Sequence, residues 1–281
     1  MTDWESRIHQ NPDTVSVMDV FEDVHSGEKR REYEGAAGLY WLADVRPTRL
    51  LPRWDDLLGL LGSTSDFSIG DSGGSRTRDW VSRAVGNCLR AFPELAPDVF
   101  GLAISGDHRV REDALSALAH SVSGMGSPDG ELPPPLAVRI SEQYDWLAEE
   151  YRSNTNVASS ALVVISGMIP WYYGRGRELT PLVMSRLDHD ESGVAEASFL
   201  RKAAIRDGEL RSDIVAAFLD HLENADMGEQ ANILQSLARI VERNPETSEL
   251  IERELDESTV SDHEPARLAL DRLNSHLERE S

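Results

Sequence analysis

The chain has one cysteine, Cys88, in 281 residues. That excludes an intrachain disulfide and removes the Cys-x-x-Cys spacings of structural zinc sites. Lysine is almost as scarce. Lys29 and Lys202 are the only two, and the other basic residues are arginines. No apolar run reaches the 18 or more residues of a membrane span. The opening residues Met1-Thr2-Asp3-Trp4-Glu5 are acidic and lack the basic-then-apolar order of a secretory leader, so a cytoplasmic location is expected. Period-2 alternation, the mark of half-buried strands, is rare. Short β-branched runs such as Leu162-Val163-Val164-Ile165 sit inside a helical period. The motifs HExxH, CxxC, GxGxxG and GxxxxGK are all absent, so the expectation is a non-enzymatic protein with no metal and no cofactor.

The chain does have an excess of acid. Fifty Asp and Glu stand against 28 Lys and Arg, a net charge of -22. Heavy acid with little lysine and much arginine resembles proteins adapted to high salt, where screening within a few Å tolerates crowded carboxylates. Residues 207–281 hold 19 acids and 7 bases and are the most acidic stretch. They make a poor surface for nucleic acid, whose binding rests on neutralising phosphates.

A recurring pattern organises the rest. Asp107-x-x-Val110-x-x-x-Ala114-x-x-x-Leu118 is matched by Asn154-x-x-Val157-x-x-x-Ala161-x-x-x-Ile165 and by Asp262-x-x-Pro265-x-x-x-Ala269-x-x-x-Leu273, and loosely by Glu191-x-x-Val194-x-x-x-Ser198. The first residue can cap a helix. The other three share one helical face, with a small residue where a second helix can come close. A period of roughly 35–45 residues is that of stacked helix pairs. The predicted architecture is all-α: one domain over 1–281, a solenoid of six to seven antiparallel helix pairs. The pairs are 13–24 with 29–42, 49–61 with 76–92, 97–104 with 110–122, 135–151 with 157–169, 179–188 with 191–205, 213–224 with 228–243, and 247–255 with 265–277. Pro245 and Pro265 fit helix starts. Glycine- and serine-rich stretches at 62–75 and 124–135 read as flexible loops.

Asp107-His108-Arg109-Val110-Arg111-Glu112-Asp113-Ala114-Leu115-Ser116-Ala117-Leu118 resembles the second helix of HEAT-like repeats. The resemblance covers residues 95–281 and is weak over 1–94. It implies that Asp107 and Arg111 join a polar ladder between repeats, and that the protein is a scaffold binding protein partners. The other copies depart from the pattern, with Ala158 and Ala195 after the valines and Pro265 in place of one. Some HEAT-like proteins act on alkylated DNA bases, and others resemble bilin lyases. The first class would need a basic groove with aromatics, for which Trp80, Arg83, Trp171, Arg175 and Arg177 are the candidates. The second has only the repeat pattern behind it.

The candidate contact segment is Pro170-Trp171-Tyr172-Tyr173-Gly174-Arg175-Gly176-Arg177, placed between two helices. Trp, Tyr and Arg dominate interface hot spots. The competing reading has the aromatics filling the groove between repeats while the arginines are exposed. Trp171, Tyr172, Tyr173, Arg175 and Arg177 are the expected partner-binding residues, with protein favoured over nucleic acid and no membrane. Basic clusters at Lys29-Arg30-Arg31, at Arg46, Arg49 and Arg53, and at Arg76, Arg78, Arg83 and Arg90 either pair with acids on their own helices or form a less acidic groove. The pairs Asp107-His108, Asp188-His189-Asp190 and Asp262-His263 invite a metal reading. Equivalent turns two repeats apart would lie about 20 Å from each other, too far to share an ion, so capped, solvated turns are expected. Gly70-Asp71-Ser72-Gly73-Gly74 reads as a loop, and Cys88 as a small buried hydrophobe.

Overall fold

A computed structural model describes residues 4–69, 75–123, 134–153, 155–187, 193–255, 260 and 263–280. The described chain is all-helical, apart from one antiparallel bridge between Ser68 and Arg76. It divides into two compact units, Met1–Asp145 and Trp146–Ser281.

The first unit contains α1 (Trp4–Gln10), α2 (Val17–Val24), α3 (Lys29–Val45), α4 (Trp54–Gly59), α5 (Thr77–Ala91), α6 (Ala96–Ser105), α7 (His108–Ser123) and α8 (Pro134–Glu142). Helix α3 packs beside α5, and α5 beside α7, while α1 and α2 lie on α3 and α6 lies on α7. Leu39 and Leu42 of α3, Val85 and Leu89 of α5, and Leu115 and Leu118 of α7 supply fully buried core. Full burial of such side chains is worth about 1.5–3 kcal/mol each relative to exposure. Helix α1 is absent from the expected pairs. It is held by Ile8 and by Trp4, whose indole donates to the buried Asp23 carboxylate at 3.0 Å.

The division between units falls within α9 (Tyr144–Arg152). The second unit continues with α10 (Ala158–Gly176), α11 (Thr180–Arg186), α12 (Gly193–Arg206), α13 (Arg211–Leu222), α14 (Met227–Arg243), α15 (Ser248–Glu254) and α16 (Glu264–Glu280). Here α10, α12, α14 and α16 pack in succession, with α11 and α13 against α12, and α15 against α13 and α16. Phe199 and Leu200 of α12, Leu234 and Leu237 of α14, and Leu273 of α16 are buried between them.

The small residue of the repeated pattern sits where expected at Ala114, Ala161 and Ala269, all buried. The apolar position four residues earlier is less consistent. Val157 is buried, but Val194 is 61% exposed. Asp107 caps α7, its carboxylate accepting from the backbone N–H groups of Arg109 and Val110 at 3.0 Å. Asp226 and Glu229 form a reciprocal cap on α14. Pro265 enters the first turn of α16 as expected, whereas Pro245 opens a 3-10 turn ahead of α15. The helix expected over 135–151 is two helices, because the Gln143 N–H bonds back to Ile140 and tightens the chain between them.

Part of the expected flexible loop at 62–75 is tied down. Gly62, at φ +78°, donates its N–H to the Asp113 carboxylate at 2.8 Å, and the Ser65 N–H donates to Glu32 at 2.7 Å. Arg109 reaches the Thr64 carbonyl. Residues 70–74, most of the 124–135 loop, Asn154, the Asp188-His189-Asp190 turn, Glu191 and Asp262 lie outside the described residues.

Five of the polar links between helices share one feature: their separation along the chain. Arg78 of α5 meets Asp113 of α7, 35 residues on. Arg90 reaches the Ser121 carbonyl, 31 on, and Arg186 the Tyr151 carbonyl, 35 back. Lys202 reaches the Ser166 carbonyl, 36 back, and Arg211 meets Glu246, 35 on. The step matches the spacing of the helix pairs. In the first unit the link runs through Arg78 and Asp113 rather than through Asp107, which is occupied in capping.

Candidate functional site

The 170–177 segment is helical rather than a connection between helices. Pro170 lies inside α10, and a local break at Tyr172 (φ -132°, ψ 40°) kinks the helix before it runs on to Gly176. A proline inside a helix loses one backbone hydrogen bond and crowds the preceding turn, which accounts for a bend here. The kink sorts the five expected contact residues. Trp171 is 43% exposed and Tyr172 38%. Tyr173 donates its hydroxyl to the Asp207 carboxylate at 2.9 Å. Burial and the adjoining carboxylate push its phenol up to about 12. Arg177 pairs with Asp207 at 2.9 Å and also with Glu209. Burial alone would raise the Asp207 carboxyl. The Tyr173 hydroxyl, the backbone N–H groups of Glu209 and Leu210, and Arg177 outweigh it and hold the group below its ordinary value. Tyr173 and Arg177 therefore latch the kinked end of α10 to the turn before α13, leaving the Trp171 and Tyr172 rings, with exposed Arg175, on the surface.

The first unit carries a second aromatic feature. His9, Trp41, Tyr40, Trp80, Tyr33 and Phe67 form a continuous row, with successive ring centroids at 5.2, 4.8, 5.0, 6.3 and 6.3 Å. Tyr33, Tyr40 and Trp41 share one face of α3 at helical spacing, and Trp80 meets them from α5. His120 of α7 joins at Tyr40, 6.3 Å between centroids. His9 also borders a shallow depression of ≈ 470 Å³ lined by Glu5, Ser6, His9 and Gln10. The rings that α3 and α5 contribute are half-buried. They pack against one another over the helix seam and keep part of their surface exposed.

Arg83 lies over Trp80, its guanidinium 5.2 Å from the ring centroid. It has no carboxylate partner among the described residues. Most other arginines of the clusters are engaged, more across helices than along their own: Arg31 with Asp23, Arg46 with Asp13, Arg78 with Asp113 and Glu112. Arg90 straps α5 to α7 through the Ser121 and His120 carbonyls. Burial, Arg90 and Arg83 together push the His120 imidazole down to about 4, so it is neutral at pH 7. Arg83 thus sets a cation on the Trp80 ring within a strongly anionic chain.

Trp80 and Arg83, two of the five candidates for a nucleic-acid groove, come together here. Trp171, Arg175 and Arg177 belong to the second unit, and Arg177 is engaged by carboxylates. No group of three or more His, Cys, Asp and Glu side chains converges as a metal site among the described residues. Cys88 is fully buried, and burial raises its thiol to about 12. No described helix is long and apolar enough to cross a membrane. The ring row was legible only in part: the spacing of Tyr33, Tyr40 and Trp41 marks one face of α3, but its meeting with Trp80 and His120 depends on helix packing. No family model matches the chain, and neither a curated protein nor a solved structure matches it.

Proposed function

We propose that this protein is a non-catalytic scaffold of HEAT-like helix pairs that binds a protein partner, with Trp171, Tyr172 and Arg175 among its contacts. The observation carrying this reading is the shared reach of five polar links, 31 to 36 residues along the chain within each unit. Such nearest-neighbour wiring is what stacked repeats use, and repeat stacks present extended surfaces to other proteins. The exposed Trp171 and Tyr172 supply the side-chain types that dominate interface hot spots. This assignment rests on fold-level reasoning together with one surface segment.

The test is affinity recovery from native lysate in high salt, using wild type beside a Trp171→Ala, Tyr172→Ala, Arg175→Ala variant. Tyr173 and Arg177 are left intact because they hold the kink. A protein recovered by the wild type and lost by the variant supports the scaffold. Equal recovery by both baits removes the segment from the contact. A nucleic-acid role is the second reading, favoured by the stacking of Arg83 on Trp80. Nuclease-sensitive material eluting with the wild type would promote it.

A further inference from the structure

We propose that the ring row along α3 and α5 is a docking groove for an extended, proline-containing peptide segment bearing one carboxylate, which Arg83 receives. The inference rests on the protein-partner reading but assigns a different surface and a defined partner chemistry.

Length is the first argument. Tyr33 and Trp41 lie eight residues apart on α3, about 12 Å at helical rise. That matches about four residues of polyproline II at ~3.1 Å each. Proline-rich segments dock on grooves lined by aromatic rings because they arrive already extended and lose little conformational freedom. The rings of Tyr33, Trp80, Tyr40 and Trp41 are half-buried and packed edge to face or at a tilt against one another, so the receiving surface is also ordered before contact.

Charge is the second. Arg83 projects from α5 one turn beyond Trp80 and has no carboxylate partner among the described residues, in a chain where acids outnumber bases 50 to 28. Guanidinium groups stacked on an aromatic ring keep their in-plane N–H donors for a bidentate carboxylate. Asp44, exposed near the end of α3, and Glu5, beside the depression at His9, border the row and oppose a partner of dense negative charge. A single nucleic-acid strand brings a phosphate at every nucleotide to a molecule of net charge -22, whereas a peptide with one carboxylate meets that field once. The groove therefore fits peptide better than nucleic acid.

The experiment is selection of a displayed library of random short peptides on the full chain, followed by binding of the enriched peptides read from tryptophan fluorescence. The expected result is enrichment of sequences with proline and a single Asp or Glu. Their affinity should fall about tenfold or more in Arg83→Gln and in Tyr40→Leu and stay unchanged in Trp171→Ala. Amidating the peptide's carboxylate should weaken binding to the wild type but not further weaken binding to Arg83→Gln, a coupling that a purely structural role for Arg83 would not produce. A circular-dichroism melt checks that each variant folds. Arg83→Lys, which keeps the charge, provides a second variant and should retain part of the affinity. The proposal is overturned if nothing is enriched, if the enriched peptides ignore Arg83→Gln, or if a short oligothymidylate binds the row in their place. A lysate partner lost with the Trp171 variant but indifferent to Arg83→Gln would sink this proposal and leave the scaffold reading standing.

Discussion

At His120, burial and two guanidinium groups act in the same direction, and the sign of the consequence can be worked out. The folded imidazole titrates near 4, below its ordinary 6.5. As pH falls below about 6.5 the unfolded chain takes up a proton that the folded chain refuses. Stability from this group is complete above that pH and is lost toward 4, at about 1.4 kcal/mol per pH unit. Urea denaturation at pH 7 and pH 5 should show a smaller loss in His120→Gln than in wild type, and an equal loss would refute the assignment. Arg83→Gln should also move the His120 NMR titration upward. Cys88 gives a simpler prediction. With its thiol raised to about 12 by burial, it should stay silent to a thiol reagent at pH 8 and react fully once the chain is unfolded. Its burial was legible from the apolar positions flanking it in α5. The state of His120 was not, because Arg83 and Arg90 come from another helix.

Helix α5 shows how much an element depends on its neighbours. A Cβ at Gly86 would lie 2.7 Å from the Ala117 carbonyl oxygen and 3.0 Å from the His120 ring, so α5 and α7 touch backbone to backbone here. Gly86→Ala should destabilise by about 1–3 kcal/mol, read from the denaturation midpoint. A wild-type midpoint would mean that the helices are free to part. Asp113 lies between the same helices, taking the Arg78 guanidinium and the Gly62 N–H. Asp113→Ala removes a buried carboxylate that takes both groups, while Arg78 keeps Glu112, so it should cost about 1–3 kcal/mol, and Arg78→Ala should cost less in that background than alone. The sequence announced α5 and α7 through their apolar period. It did not announce the order of residues 62–69, whose partners Glu32, Arg109 and Asp113 are remote in the chain. Nor did it mark α10 as continuing past Pro170, because the latch at Asp207 is supplied from beyond α12.

At the scale of the whole molecule the dominant quantity is the charge of -22. Raising salt weakens the ion pairs, many of them exposed and worth little individually, and also relieves the repulsion among the unpaired carboxylates. The second effect is the larger for so unbalanced a chain, so the melting temperature should rise between low salt and molar potassium chloride. A falling one would show that the pairs dominate. The all-α character was readable along the chain, because apolar residues recur at helical spacing and period-2 alternation is rare. The division into two units was not, since no composition shift marks residue 145.

With no disulfide available, Arg78, Arg90, Arg186, Lys202 and Arg211 serve as reversible stitches, each catching the next helix pair and going no further. Stitching of that kind changes how a structure fails. In the repeat stack proposed above, a unit pulled from its ends would ravel from the outside in, pair by pair, with each loosened pair able to re-knit onto the one still standing.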